Sequence, residues 1–508
     1  MSETTSDRAA GDALRYAYAF AKDSGLILLD TDGNEAVVGV RESDDPDATP
    51  SLWSLVEARR AAGKPVRFER LASKIFDRRL SEIYAAEGLS AATFDDDDGV
   101  EDLSSLAEGL PETADLLDTE NDAPIIRLIN ALIAEAVKTR ASDIHIEPYE
   151  TSLSIRLRID GLLREVLSLP QKLTPVLTSR VKVMARLDIS EKRVPQDGRI
   201  SLAMGGRLVD VRVSTLPSRF GERLVLRLLD KEHAQLDLDA LGMPESIRER
   251  FKKVLAKPNG VILVTGPTGS GKTTTLYAAL TLLNDPGVNI LTVEDPVEYA
   301  LDGIGQTQVN TKVGMTFATG LRAILRQDPD IVMVGEIRDV ETAQIAVQAS
   351  LTGHLVLSTI HTNSAIGAVT RLRDMGVEPF LLSPTIAGVL AQRLVRRLCE
   401  NCKAPKAPDA FERETLGIGP NEDVTLYTPV GCPACNHTGY EGRIGLYELV
   451  VVNETLRKQI HDDEGEQALA AEAFKESETL AQAGYAHVVS GRTSLAEVLK
   501  VVQEDTGR

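Results

Sequence analysis

Apolar residues recur along this chain with two different periods, and the change of period marks its organisation. Near the start, Gly25–Leu29 reads as an apolar strand, Asp32-Gly33 as a turn and Ser51–Ala62 as an amphipathic helix. Pro124 then opens a helix in which Ile125, Leu128, Ile129, Leu132, Ile133 and Ala136 return at helical spacing. Period two follows. Leu153, Ile155 and Leu157 alternate with polar residues, Asp160-Gly161 makes a hairpin turn, and Val209, Val211 and Val213 alternate after a Gly205-Gly206 turn. Residues 120–235 therefore predict an α+β domain with a mainly antiparallel sheet. From about 240 the pattern becomes apolar strand, loop, helix, repeated. Val261–Thr265, Ile290–Val293, Ile331–Val334 and Leu355–Ile360 are short unbroken apolar runs that suit a parallel sheet covered on both faces. A charged helical tail ends the chain, and no solenoid repeat is present.

Charge divides the chain further. No Lys or Arg occurs from Leu80 to Ile126, and Phe94–Asp122 carries twelve acids. Too few apolar residues lie there to offset the entropy of ordering, so a flexible linker is expected, extended by like charges. The expected domains are a small N-terminal domain (1–92), the acidic linker (93–122), the middle α+β domain (123–235) and an α/β domain (236–508).

A length of 508 residues accommodates roughly three domains. Aromatic residues make up only 4%, with Trp53 the single tryptophan, and 76 acids against 56 Lys and Arg leave a net charge of −20. This is a poor supply for stacking on single strands or gripping phosphate backbones, so no nucleic-acid partner is expected. No run of about 18 apolar residues offers a membrane span, and the N-terminus lacks a basic then apolar leader. A cytoplasmic protein is expected, attached to membrane only through partners.

The chemistry concentrates in three places. Gly266-Pro267-Thr268-Gly269-Ser270-Gly271-Lys272-Thr273, followed by Thr274, fits GxxxxGK[ST] between an apolar strand and a helix. Glycines let such a loop curl so that its N–H groups face phosphates, and the helix N-terminus adds positive charge. Lys272 is expected on the β- and γ-phosphates of ATP, and Thr273 on Mg²⁺. Glu336, after the Ile331–Val334 run at the end of a strand expected beside the loop, is the candidate for orienting or deprotonating water. Glu294, after Ile290–Val293, could hold a Mg²⁺-bound water or compete for that base role. Arg212, Arg227, Arg322, Arg326 and Arg338 are candidate cations for the transferring phosphate, and His354 and His361 bracket the Leu355–Ile360 run. Finally, Cys399-x2-Cys402 and Cys432-x2-Cys435, 29 residues apart, are the chain's four cysteines and predict a closed structural Zn²⁺ site in a subdomain at 395–445.

Several stretches together resemble a known family. ASDIHIEPYE (141–150), VPQDGRI (194–200), GPTGSGKTTTLYAAL (266–280), LTVEDPVEY (291–299), LRQDPDIVMVGEIRD (325–339) and TGHLVLSTIHTNSA (352–365) are similar to motifs of the secretion-superfamily traffic ATPases, most closely those of type II secretion. The resemblance implies a RecA-like P-loop NTPase domain, a preceding PAS-like α+β domain that closes over nucleotide, and a small N-terminal α+β docking domain. It makes Gly266–Thr273 the Walker A loop, Glu294 the acid of the aspartate box, Glu336 the Walker B glutamate, and His354 and His361 the histidine box. Arg212 and Arg227 fall where the family contacts nucleotide phosphate, and the four cysteines match the zinc subdomain of assembly ATPases. It further implies a homo-hexamer that powers pseudopilus assembly. YAFAKDSGLILL (18–29) resembles the part that docks on the cytoplasmic domain of the inner-membrane L protein, and the platform F protein is a further implied partner. A pilus-extension ATPase, a DNA translocase and a nucleotide-binding scaffold without turnover are the alternatives. The short N-terminal domain favours secretion.

Overall fold

In a computed structural model, residues 24–30, 35–42, 52–62, 64–71, 122–204, 207–230 and 237–502, with single positions at 76, 79 and 103, are described. The expected linker lies almost wholly outside them, as do the turns at Asp32-Gly33 and Gly205-Gly206. Near the N-terminus, β1 (Leu26–Asp30), β2 (Ala36–Arg41), helix α1 (Leu52–Ala62) and β3 (Val66–Leu71) give a three-stranded sheet in the order β1-β2-β3. Leu26, Ile27, Leu28, Val38, Ala58 and Phe76 form its core.

Helix α2 (Asp122–Lys138) buries Ile125, Leu128, Ile129, Leu132, Ile133 and Ala136, the stripe its periodicity predicts. Strands β4 (Asp143–Pro148), β5 (Ser152–Ile159), β6 (Leu162–Pro170), β7 (Gln196–Met204), β8 (Arg207–Ser218) and β9 (Gly221–Asp230) form a sheet in the order β6-β5-β4-β9-β8-β7, with helix α3 (Thr174–Met184) between β6 and β7 in sequence. Leu153, Ile155 and Leu157 of β5 and Val209, Val211 and Val213 of β8 are all buried. Asp160 and Gly161 take φ of +48° and +85°, the two left-handed positions of a tight hairpin between β5 and β6.

Beyond α4 (Glu245–Leu255), the four expected apolar runs become β10 (Gly260–Thr265), β11 (Ile290–Glu294), β13 (Ile331–Val334) and β14 (Leu355–Ile360), joined by β12 (Gly305–Gln308). Two long strands then enlarge the sheet. These are β15 (Ile386–Leu398), parallel to β10, and β18 (Tyr440–Val451), antiparallel to β15; between them in sequence, β16 (Ala404–Lys406) and β17 (Leu426–Thr428) pair separately. The seven strands run β12-β11-β13-β14-β10-β15-β18. Alternation decides which side each residue serves. Val261 and Leu263 of β10 face a core with helices α6 (Phe317–Ile324), α7 (Val340–Leu351) and α8 (Ala365–Asp374), while Ile262 and Val264 face one with α4 and α5 (Lys272–Leu283). The expected sheet covered on both faces is therefore present, and the architecture is α/β.

Helices α9 (Pro379–Thr385), α10 (Ala410–Leu416), α11 (Glu454–His461), α12 (Glu466–Ala473), α13 (Leu480–Val489) and α14 (Leu495–Val502) complete the C-terminal part. Two polar contacts join distant elements inside this region. Buried Glu448 accepts the Ala365 N–H (2.9 Å) and the Leu480 N–H (3.1 Å), capping α8 and α13 together. Arg396 donates Nε and Nη2 to the two Glu497 oxygens at 2.8 and 2.7 Å and lies 4.0 Å over the Tyr440 ring, fastening α14 to β15. By proximity in space, the protein divides into two compact units, each drawn from separate stretches of the chain. One holds Met1–Lys138, Ile146–Ile155 and Leu167–Leu226; the other holds Thr139–His145, Arg156–Val166 and Arg227–Arg508.

The Arg396 pair has a pH signature. Burial alone would raise the Glu497 carboxyl, but bonds from Arg396 and Lys500 outweigh it and hold it at about 2. A depressed carboxylate stabilises above its unfolded value and loses that contribution as pH falls toward the folded one. Glu497→Gln should therefore lower the stability of the C-terminal region by on the order of 2–3 kcal/mol at pH 7. Hydrogen exchange in α14 should show the difference between variant and wild type shrinking from pH 4.5 toward pH 2.

Candidate active site

The loop between β10 and α5 is built around missing side chains. Gly266, Gly269 and Gly271 take φ of +148°, +82° and +85°. A Cβ on Gly266 would sit 2.5 Å from the Gln392 carbonyl oxygen, and one on Gly271 would sit 2.9 Å from Gln392 Nε2. At these two positions the loop is pressed against β15. Pro267, Thr268 and Gly269 are exposed along its outer edge, as is Thr273 in the first turn of α5. Ser270 Oγ is buried and has no hydrogen-bond partner.

Lys272 is 8% exposed, and its Nζ donates to the carbonyls of Gly266 (2.9 Å) and Pro267 (3.0 Å). Burial lowers its pKa to about 8, with the Arg393 charge adding to the effect and Glu336 opposing it. An ammonium held inside a curl of backbone, at a helix N-terminus, suits a polyphosphate.

Glu336 follows β13, but β13 is not the direct neighbour of β10 that the sequence reading takes it to be. The register places β14 between them. His361, just after β14, therefore joins the group. Its Nε2 lies 3.4 Å from Glu336 Oε2, and Arg338 pairs with Oε1 of the same carboxylate. Burial first, then the Lys272 charge, lowers the His361 pKa, which favours the neutral imidazole at neutral pH. Lys272, Glu336, His361 and Arg338 thus form one electrostatic cluster at the carboxyl edge of the sheet.

Glu294 is 2% exposed and fully engaged. Tyr277 OH donates to Oε2, and Thr292 Oγ1 (2.5 Å) and Gln306 Nε2 (3.1 Å) donate to Oε1. These bonds tie α5 to β11 and β12. His354 stands at the opposite end of β14, so six strand residues, about 20 Å, separate it from His361. Its Nδ1 lies 2.9 Å from the Ala349 carbonyl, at the end of α7. Arg227 pairs with Asp143 at 3.0 Å. Arg212 lies opposite Arg199 on the β7–β8 pair, in the other compact unit. Arg322 pairs with Glu341 at 2.5 Å, and Arg326 Nη1 donates to the Arg322 carbonyl at 2.9 Å. The geometry therefore gathers Lys272, Glu336, His361 and Arg338, and leaves His354 apart.

Three residues near the loop take no role in the sequence reading. Gln392, Arg393 and Tyr277 are all buried. A Gln-Arg pair interrupting the apolar run from Ile386 to Val395 is the signal that would have marked the first two.

A second site is built from sulfur. The ligand atoms of Cys399, Cys402, Cys432 and Cys435 all lie within 4.8 Å of one another. The Cys399–Cys432, Cys402–Cys435 and Cys432–Cys435 pairs stand at 3.9, 3.8 and 3.8 Å. Four thiolates on a tetrahedral ion at a metal–sulfur distance of about 2.3 Å would be about 3.8 Å apart, so the donor set fits a metal. Backbone N–H groups of Gly431, Cys432 and Gly439 point at Cys402 and Cys435 sulfurs at 3.2–3.3 Å. Burial alone would raise the Cys435 thiol, but the N–H bonds pull it down, to about 6.

Residues 118–500 match the family described as Type II/IV secretion system protein, and residues 15–84 match a domain described for GSPII protein E. The chain is 56% identical over 489 residues to the Type II secretion system protein E of Pectobacterium carotovorum subsp. carotovorum, covering 96% of this chain and 97% of the relative. It is 57% identical over 456 residues to the Type II secretion system ATPase E of Vibrio cholerae serotype O1, covering 89% and 91%. In fold it is similar to the Legionella pneumophila ATPase DotB, with a TM-score of 0.55 at 21% identity, covering 74% of this chain and 96% of that one.

The proton balance of Lys272 gives a test. Phosphate binds the ammonium form, so nucleotide affinity should fall as pH rises through about 8. Lys272→Arg should remove that inflection, because a guanidinium stays charged. Titration with a fluorescent ATP analogue between pH 7 and 9.5 checks both.

Proposed function

The chain belongs to the Type II/IV secretion system protein family, and from that premise we propose that it is the hexameric ATPase whose hydrolysis of ATP drives pseudopilus assembly in type II secretion. One observation supports the chemistry above all others: a buried ammonium in a glycine curl faces a carboxylate held by an imidazole and a guanidinium.

The roles follow from that arrangement. Backbone N–H groups of Gly266–Thr274 hold the phosphates, and Lys272 moves from the loop carbonyls to the β- and γ-phosphates. The Thr273 hydroxyl would hold Mg²⁺, which supplies charge neutralisation between those phosphates when bound. Glu336 orients the attacking water and takes its proton. His361, neutral beside it, donates to Glu336 or to phosphate, and Arg338 is released to the developing charge. Arg212 and Arg227 add charge when the domain at 123–235 closes, within one subunit or between subunits. The oxygens of Glu294 are already occupied by three donors, so its share in catalysis is to hold α5 and the aspartate-box strand in register. His354 has no path to the phosphates within its own subunit, and we assign it to the α7–β14 turn.

The four cysteines would hold zinc as a closed structural site in the 395–445 subdomain of the domain at 236–508. The GSPII protein E match at 15–84 supports residues 1–92 as the docking domain for the cytoplasmic part of the inner-membrane L protein, with 93–122 as a tether. No helix among the described residues is long and apolar enough to cross a membrane. Attachment to the inner membrane, including contact with the platform F protein, would then run through these partners.

Lys272→Ala should abolish phosphate release while circular dichroism stays unchanged, and Glu336→Gln should lower it by about 10² or more. Release measured with and without the cytoplasmic domain of the L protein tests the partner; wild-type rates in Glu336→Gln would remove that residue from the chemistry. Cys432→Ser should cost the site its metal and unfold residues 395–445, read by metal analysis and by proteolysis confined to that region.

A further inference from the structure

The phosphate loop makes few bonds of its own, so its shape must come from a neighbour. Between Gly266 and Gly271 the one internal backbone bond is Ser270 N–H to Pro267 O, at 3.3 Å. The neighbour is Gln392 of β15, which is 3% exposed and meets the loop at two points and the helix after it at a third. Its carbonyl oxygen occupies the space a Gly266 side chain would need, at 2.5 Å. Its side-chain Nε2 does the same at Gly271, at 2.9 Å. Its Oε1 accepts from Thr275 Oγ1 at 2.7 Å, inside the first turn of α5, where Thr275 is fully buried.

Arg393 extends this support. It is 2% exposed, and its Nη1 donates to the Gln392 carbonyl (3.2 Å) and its Nη2 to the Asn363 carbonyl (2.6 Å). The preceding residue, Thr362, donates its N–H to Thr265 Oγ1 at 3.0 Å, so the segment after His361 and the start of the loop are fastened together. A buried side-chain amide costs free energy unless hydrogen-bonded, and Gln392 meets that cost at Oε1 through Thr275, a bond that also fixes where its amide sits against Gly271.

We propose that Gln392 is the positioning residue for the ATP phosphates. It touches no substrate. It holds Gly271 and Thr275 so that the loop N–H groups and Lys272 are aimed before nucleotide arrives, which spares binding the entropy of ordering the loop. Arg393 registers that loop with the arm carrying His361. The proposal rests on the ATPase reading above.

The test uses the full chain and a fluorescent ATP analogue with Mg²⁺. Gln392→Met keeps the volume and removes both polar ends. It should weaken binding about tenfold and raise KM similarly, with kcat within twofold and the melting temperature unchanged. Thr275→Val removes the other partner and should weaken binding to a similar degree; the double variant should be no worse than the worse single. Wild-type affinity in Gln392→Met, or additive losses in the double variant, overturns the assignment. So does a loss of affinity matched by an equal loss of thermal stability in both singles, which would make Gln392 an ordinary core residue. Failure of the wild-type chain to bind the analogue would instead sink the ATPase reading itself.

Discussion

The structure depends on one close approach of two backbones, where the loop after β10 runs against β15 with no side chain between them. The Gln392 carbonyl lies where a Gly266 Cβ would be, so only glycine allows the chain to pass there. That passage sends the loop back over the start of α5. The turn then closes around Lys272, whose ammonium meets the loop carbonyls from inside. A single methyl group at Gly266 would have to displace either a strand buried in the sheet or the loop itself, and the strand is anchored on both sides by β10 and β18. The loop would give way, and with it the direction of every N–H group that faces phosphate.

Strand order decides what the loop can work on. Because β14 lies between β10 and β13, the residue after β14 stands between the lysine and the glutamate. His361 fills that place, and its charge state follows from it: burial and a cation on one side oppose a carboxylate on the other. The cluster holds two cations and one carboxylate close together, an imbalance that a polyphosphate would correct. Lys272 bears the cost in the free protein, with its proton held less tightly than in water. Bound phosphate would favour the ammonium, so the proton would be held more tightly in the complex than in the free protein.

Much of this was legible in the sequence where local pattern and final environment agree. The stripe from Ile125 to Ala136, the alternation from Leu153 to Leu157 and the four apolar runs all became the elements their periods predict. The loop motif and the four cysteines were legible for a different reason: their chemistry needs fixed residue types at fixed spacing. Strand β15 was not legible. Ile386–Leu398 mixes apolar residues with Gln392, Arg393, Arg396 and Arg397 at spacings that also suit a helix. Gln392 and Arg393 are buried, and Arg396 half-buried, because partners from distant segments meet them, and no single-chain period encodes such partners. The place of β14 was hidden likewise, since strand order is a property of three-dimensional pairing. His354 and His361 both came from the resemblance to the histidine box, and the fold separates them along β14. The ends of a strand face opposite edges of the sheet, and here α7 claims one of them.

The phosphate loop and the cysteine site solve the same electrostatic problem. Each directs backbone N–H groups at an anion from turns with positive φ. At the loop these are Gly266, Gly269 and Gly271; at the cysteines they are Gly431, Asn436, His437 and Gly439. Gly431 and Gly439 are enforced sterically as well, since a Cβ on either would fall within 3 Å of the backbone of His437 or the side chain of Pro429. The two sites differ in who brings the charge. At the cysteines the sulfurs belong to the chain itself, so N–H groups and sulfurs are fixed together, and four donors would leave no position open on a tetrahedral ion. At the loop the charge must arrive from solution, so the site is preset by β15 on its inner side and left exposed at Pro267, Thr268 and Gly269 on its outer side. A closed site of this kind can only hold a shape. An open one, preset but uncompensated, can bind and release repeatedly, which is what turnover requires.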